Sequence, residues 1–153
     1  MRIAWLLLAA ALCASAQDDK KEVVSVVTKL FEGMAAGDAD AISSTMTPDA
    51  KLVAAQDDKV SPATTRDQFA RRIGANKNRV VERMWNPTVL VRGRIAMVWA
   101  DYDVYVGGKF GHCGIDAFTL LKTDAGWKIS GIQYTSETQG CKPNPLGPPP
   151  AQP

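Results

Sequence analysis

Between residues 18 and 36, apolar side chains recur three and four apart, at Val23, Val24, Val27, Leu30, Phe31 and Met34, with lysines and acids between them. That spacing predicts one amphipathic helix, ended by Gly37. Asp38 then caps a shorter helix carrying Ile42 and Met46, which has to end before Pro48 because the residue ahead of a proline avoids the helical region. A short strand over 49–55 follows, and Gln56-Asp57-Asp58-Lys59 reads as a polar turn. Thr65-Arg66-Asp67-Gln68 has the form of a capping box and opens a third helix through Phe69 and Ile73. Three helices are complete before residue 80.

Beyond residue 80 the period shortens to two, and β-branched and aromatic residues accumulate. Four strands are expected: 80–91 interrupted at Asn86-Pro87, then 94–106, 111–122 and 126–137. Their connections, around Gly93, Gly107-Gly108 and Asp124-Ala125-Gly126, are short enough to make consecutive strands antiparallel hairpins. Alternation puts Ala96, Val98, Ala100, Tyr102, Val104 and Val106 on one uncharged face, which should meet the helices. Ile95, Met97, Trp99, Asp101, Asp103 and Tyr105 take the other. Pairing Val106 with His112 across the Gly107-Gly108 corner would set Tyr102 opposite Asp116, and His112, Gly114, Asp116, Phe118 and Leu120 would continue the inner face. The last twelve residues hold six prolines, a composition that supports neither helix nor sheet and predicts an extended, disordered tail over 142–153.

The first sixteen residues change how the remainder is read. Arg2, an apolar run from Ile3 to Cys13, and Ala14-Ser15-Ala16 have the form of a secretory signal peptide, too short to anchor in a bilayer. Its removal leaves 137 residues from Gln17, enough for one domain with a sizeable core, exported to the periplasm or secreted, and not bound to membrane. The mature chain keeps two cysteines, and in an oxidising compartment an even count points to a Cys113–Cys141 disulfide. The formal charge is +2, or +1 once Arg2 is gone, which argues against a dedicated nucleic-acid binder despite the basic stretch through Arg71, Arg72, Lys77, Arg79 and Arg83.

A phenol, a carboxyl and the chain's single histidine therefore converge in an otherwise apolar concavity. Tyr102, His112 and Asp116 are the candidate catalytic groups, and the same three with Phe118 the candidate ligand contacts. A buried carboxyl has its pKa raised and a phenol can donate to a developing oxyanion, so the trio suits acid–base work; it suits a hydrogen-bonded core equally. No metal site is expected from one histidine and scattered carboxylates, and a disulfide would remove Cys113 as a nucleophile. The sequence contains no phosphate-cradling glycine loop or dinucleotide fingerprint, so no cofactor is expected. The outward Ile95, Met97 and Trp99, with Trp85 near, form an apolar patch that predicts a homodimer through the sheet face.

Three helices followed by a curved antiparallel sheet, with Gly37-Asp38 between the first two helices, Thr47-Pro48-Asp49-Ala50 after the second and Gly126-Trp127-Lys128-Ile129 opening the last strand, resemble the nuclear transport factor 2-like superfamily. The segments from Ile95 to Tyr102 and from His112 to Phe118 are similar to its exported bacterial members of lumazine-binding or SnoaL-like type. The resemblance covers about residues 18 to 141 and implies an α+β, cone-shaped fold with a pocket for a small apolar or aromatic molecule. Ketosteroid isomerases of this superfamily use a tyrosine in helix one and an aspartate in strand one. Those places fall at Leu30 and Ala54 here, while a later isomerase acid falls near Asp116. The resemblance thus implies a small-molecule-binding domain first, an isomerase- or dehydratase-like lyase second, and a non-catalytic interaction module third.

Overall fold

The computed structural model describes residues 3–149, with side chains from residue 17 onward. The expected leader, 1–16, and the last four residues of the tail lie outside the residues whose side chains are described. Helix α1 spans Ile3–Ala36, α2 Ala39–Ser44 and α3 Arg66–Gly74. The strands are β1 Met46–Ala55, β2 Thr64–Thr65, β3 Val80–Arg92, β4 Ile95–Val106, β5 Lys109–Thr123 and β6 Gly126–Thr135, in one sheet ordered β2-β1-β6-β5-β4-β3.

The α1 stripe behaves as its spacing dictates: Val23, Val27, Leu30, Phe31 and Met34 are buried against the sheet. The Asp38 carboxylate accepts from the amides of Asp40 and Ala41, and the Thr65–Gln68 capping box is complete, so both short helices start where polar side chains satisfy their free N–H groups. Helix α2 ends at Ser44, earlier than expected, and Met46 opens β1 instead. Pro48 is tolerated in that strand because the β1–β6 pairing breaks register between Met46 and Lys51, where no ladder N–H is required. Strand β3 runs through Asn86-Pro87 on the same terms, with a register shift between Trp85 and Thr88 and Asn86 at φ 50°.

The sheet from β3 to β6 is antiparallel as expected, while β1 joins β6 in parallel, an addition made possible because they are distant in sequence and need no tight turn. The expected β4–β5 register is corrected by two residues. Gly107 and Gly108, both at positive φ, form a two-residue turn, so Val106 pairs with Lys109, and one extra residue at Gly111 brings Val104 opposite His112. Tyr102 consequently faces Gly114, and Asp116 faces Ala100. A shift of two leaves every side chain on its expected face, whereas a shift of one would have inverted them.

Helices cover one face of this curled sheet, giving an α+β cone whose core includes Val98, Tyr102, Phe118, Leu120 and Ile129. On the other face Leu90, Ile95, Met97, Trp99 and Leu121 stand open, with Trp99 52% exposed, whereas Trp85 is buried. The opposite end of that face is covered. Asp103, expected to point to solvent, is 5% exposed because Arg83 grips both its oxygens at 2.9 and 2.6 Å and Asn144 donates to it at 2.8 Å. Residues 142–149 form neither helix nor strand. They are nonetheless held there by Lys142 on Asp101 and by Arg83 on the Gly147 carbonyl. They start from the Cys113–Cys141 disulfide, next to a backbone bridge between Cys113 and Glu137. No helix among the described residues is long and apolar enough to cross a membrane.

Candidate functional site

The concave face of the sheet and the inner sides of α1 and α3 enclose a cavity of about 220 Å³. Its walls are mostly apolar, supplied by residues such as Leu30, Phe69, Phe118 and Ile132, and its polar groups are few: Arg72, Asn76, Glu82, Tyr102, His112, Asp116 and Tyr134. A concave apolar space with a small convergent polar set is the usual form of a small-molecule site, and this one is smaller than a drug-sized ligand needs. All four residues expected as ligand contacts line it, and so does Leu30, at the position where the isomerases carry tyrosine.

Tyr102 and His112 are brought together. The phenol donates to the Thr135 carbonyl at 2.6 Å, and its oxygen lies 2.8 Å from His112 Nδ1. The single phenolic proton is committed to Thr135, so Nδ1 carries its own proton and donates to the phenol oxygen, leaving Nε2 with a free lone pair. Burial lowers the His112 pKa and favours that neutral ring. Burial, followed by the nearby Asp116 and Glu82 charges, pushes the Tyr102 pKa up, so the phenol keeps its proton. The close approach depends on Gly114, the residue opposite Tyr102: at φ 153° a Cβ built there would lie 2.2 Å from Thr135 Oγ1 and 2.7 Å from its carbonyl oxygen. Only a residue without a side chain lets Thr135 sit close enough to accept the phenol proton.

Asp116 does not bond to Tyr102. Its neighbour in the cavity is Glu82, which the sequence reading passed over because the residue sits within a basic stretch and resembles a local counter-charge. Alternation from the buried Val80 carries the signal that finds it, since 80 and 82 share a strand face. Both carboxyls line the cavity, and each shifts the other's titration. Asp116 is 1% exposed, and no N–H or O–H of another residue reaches its Oδ2. Burial raises the pKa of Asp116 well above the carboxylate range, with the Glu82 charge adding to it. Burial likewise pushes Glu82 up to about 7, with the Asp103 charge assisting. Near neutrality the pair therefore retains at least one proton.

Tyr134, from β6, was also missed. It follows the buried Ile132 by two residues, the same alternation signal, and its ring stacks on His112 at 6.1 Å and 16°. Such a site can hold a proton near neutral pH, accept N–H groups at the carboxyl pair and at His112 Nε2, and cover a flat ligand with aromatic surface. No group of three or more His, Cys, Asp or Glu side chains that could hold a metal ion occurs among the described residues.

Known proteins share this architecture. The chain overlays on an NTF2-like protein with a cystatin-like fold from Novosphingobium aromaticivorans with a TM-score of 0.67 and 21% identity, covering 87% of this chain and 89% of that one. A protein from Streptomyces avermitilis, titled a "putative dehydratase from the NTF2-like family", gives 0.66 and 21%, covering 79% of this chain and 97% of that one. A nuclear transport factor 2-like superfamily protein from Salmonella enterica gives 0.65 and 14%, covering 82% and 95%. At these identities the likeness is one of fold. No curated protein matches the chain. A family model described as "Putative lumazine-binding" matches residues 18–134, which is most of the chain and includes both carboxyls, Tyr102, His112 and Tyr134. The protein belongs to that family.

Proposed function

We propose that this protein is an exported binding domain whose cone holds a small, partly apolar molecule, contacted by Tyr102, His112, Asp116 and Phe118 and oriented by the Glu82–Asp116 pair. The observation that carries this reading is a fully buried carboxyl with an unpartnered oxygen at the wall of an apolar cavity. A buried carboxyl without an external donor costs stability, and its place in an open cavity fits a group kept for a ligand. The open cone counts against a module that acts through its surface alone. The apolar outer patch of Ile95, Met97 and Trp99 supports a homodimer through that face.

Native mass spectrometry of the protein made through its own leader and purified without reductant tests both halves. The expected result is a dimer carrying a reproducible extra mass, and a Trp99→Asp variant that retains the mass but runs as a monomer. A ligand-free wild-type protein would count against binding, and an unchanged dimer in the variant would place the interface elsewhere.

A second reading, a lyase or isomerase with Asp116 as acid or base and Tyr102 stabilising an oxyanion, is favoured by the placement of both carboxyls at the cavity wall, where burial pushes Glu82 up to about 7, within the range useful for proton transfer. The copurified molecule supplies the substrate to try. Asp116→Asn should then abolish turnover across the pH range, and unchanged turnover would exclude this mechanism.

A further inference from the structure

The cavity has opposite charge at two separate places. Arg72, in the last turn of α3, lines it with an exposed guanidinium 5.7 Å over the Phe69 ring, and Asn76 follows one turn later. Among the described residues no carboxylate pairs with Arg72, whereas Arg66, Arg83 and Arg94 each have one. On the sheet side Glu82 and Asp116 line the cavity, no salt bridge among the described residues reaches either, and Asp116 Oδ2 is buried without a partner. Between them lie apolar walls and the stacked His112 and Tyr134 rings.

We infer that the ligand of the cone is amphoteric: a small flat molecule that sets an ammonium or similar N–H-rich group against the Glu82–Asp116 pair and an anionic group, such as a carboxylate, against Arg72. The inference rests on the binding reading and names the class of ligand. Low-dielectric walls strengthen the attraction at the buried carboxyl pair, and the exposed Arg72 at the other place makes the cavity dipolar, so a ligand of matching dipole is oriented as it enters. A ligand with one charge satisfies one end and leaves the other unpaired. An uncharged ligand forgoes both, and desolvating the carboxyl pair is then uncompensated. The volume of about 220 Å³ suits a compact compound of one or two rings.

Isothermal titration of the oxidised wild-type protein at about pH 8 with 4-(aminomethyl)benzoate, benzylamine, benzoate and benzyl alcohol separates the possibilities. The doubly charged probe should bind at least about tenfold more tightly than either singly charged one. Arg72→Gln should reduce its affinity to that of benzylamine, and Glu82→Gln to that of benzoate. Arg72 is exposed, so its variant decides the matter even where Glu82→Gln fails to fold. Equal binding of a singly charged probe, or of benzyl alcohol, overturns the two-ended site while leaving the binding reading intact. Failure of all four probes overturns both.

Discussion

Protein in which Cys113 and Cys141 are both serine should be about 3 to 4 kcal/mol less stable than the oxidised wild type, because the bridge closes a loop with a sequence separation of 28. For a domain of this size that loss lowers the melting temperature by on the order of 10 °C. Part of the effect is chain entropy in the unfolded state. Part is native: Cys141 sets the starting point from which Lys142, Asn144 and Gly147 reach Asp101, Asp103 and Arg83. Reductant should bring the wild type down to the level of the serine variant and leave that variant unmoved. A difference below about 1 kcal/mol would mean that the backbone bridge between Cys113 and Glu137 holds this end of the sheet without help.

The second large effect concerns pH. The melting temperature should fall between about pH 5 and about pH 8, by on the order of 5 °C. Both carboxyls of the cavity have folded pKa values above their unfolded ones, 4.5 for Glu82 and 3.8 for Asp116. The folded chain therefore binds protons more tightly. Their contribution is whole below those unfolded values and is lost as pH rises through about 7, where Glu82 ionises in the cavity. His112 acts in the opposite direction: with its pKa lowered by burial, its contribution is present above 6.5 and is lost as pH falls, which trims the gain at the acid end. The phenols facing the pair do not change charge in this interval, since Tyr102 on β4 and Tyr134 on β6 have raised pKa values. A Glu82→Gln, Asp116→Asn double variant should reverse the slope, because only His112 then titrates. A wild-type curve that rises with pH would show that the two carboxyls are not desolvated together.

Alternation made much of this site legible. A strand has only two faces, so once the uncharged face of β4 was assigned to the helices, Tyr102 had to point into the cone, and His112, Asp116 and Phe118 followed from the hairpin. The hairpin itself was misjudged. Nothing in Lys109-Phe110-Gly111-His112 distinguishes a longer loop from a tight glycine turn with one extra residue beyond it, and the error survived because it was even. Glu82 and Tyr134 were hidden for another reason. Glu82 meets Asp116 across the intervening β4, a contact set by the curl of the whole sheet, and Tyr134 comes opposite Asp116 only through the β5–β6 register. The helix starts at Asp38 and Thr65 were readable because caps are local, whereas the end of α2 was decided by β1, whose pairing with β6 draws Met46 into the sheet.

The tail has a consequence for the outside of the sheet. By occupying the end near Asp101 and Asp103, it divides that surface into a fenced polar half and a bare apolar half around Trp99, Met97 and Ile95. A second molecule approaching this surface has its footprint set in advance, since any placement that extends over the fenced half must first evict Asn144 from Asp103. Shortening the chain after Cys141 would therefore widen the landing area and admit orientations that the full-length protein forbids. Residues 142–149, which form neither helix nor strand, would thus act as a stencil for a molecule that docks beside them.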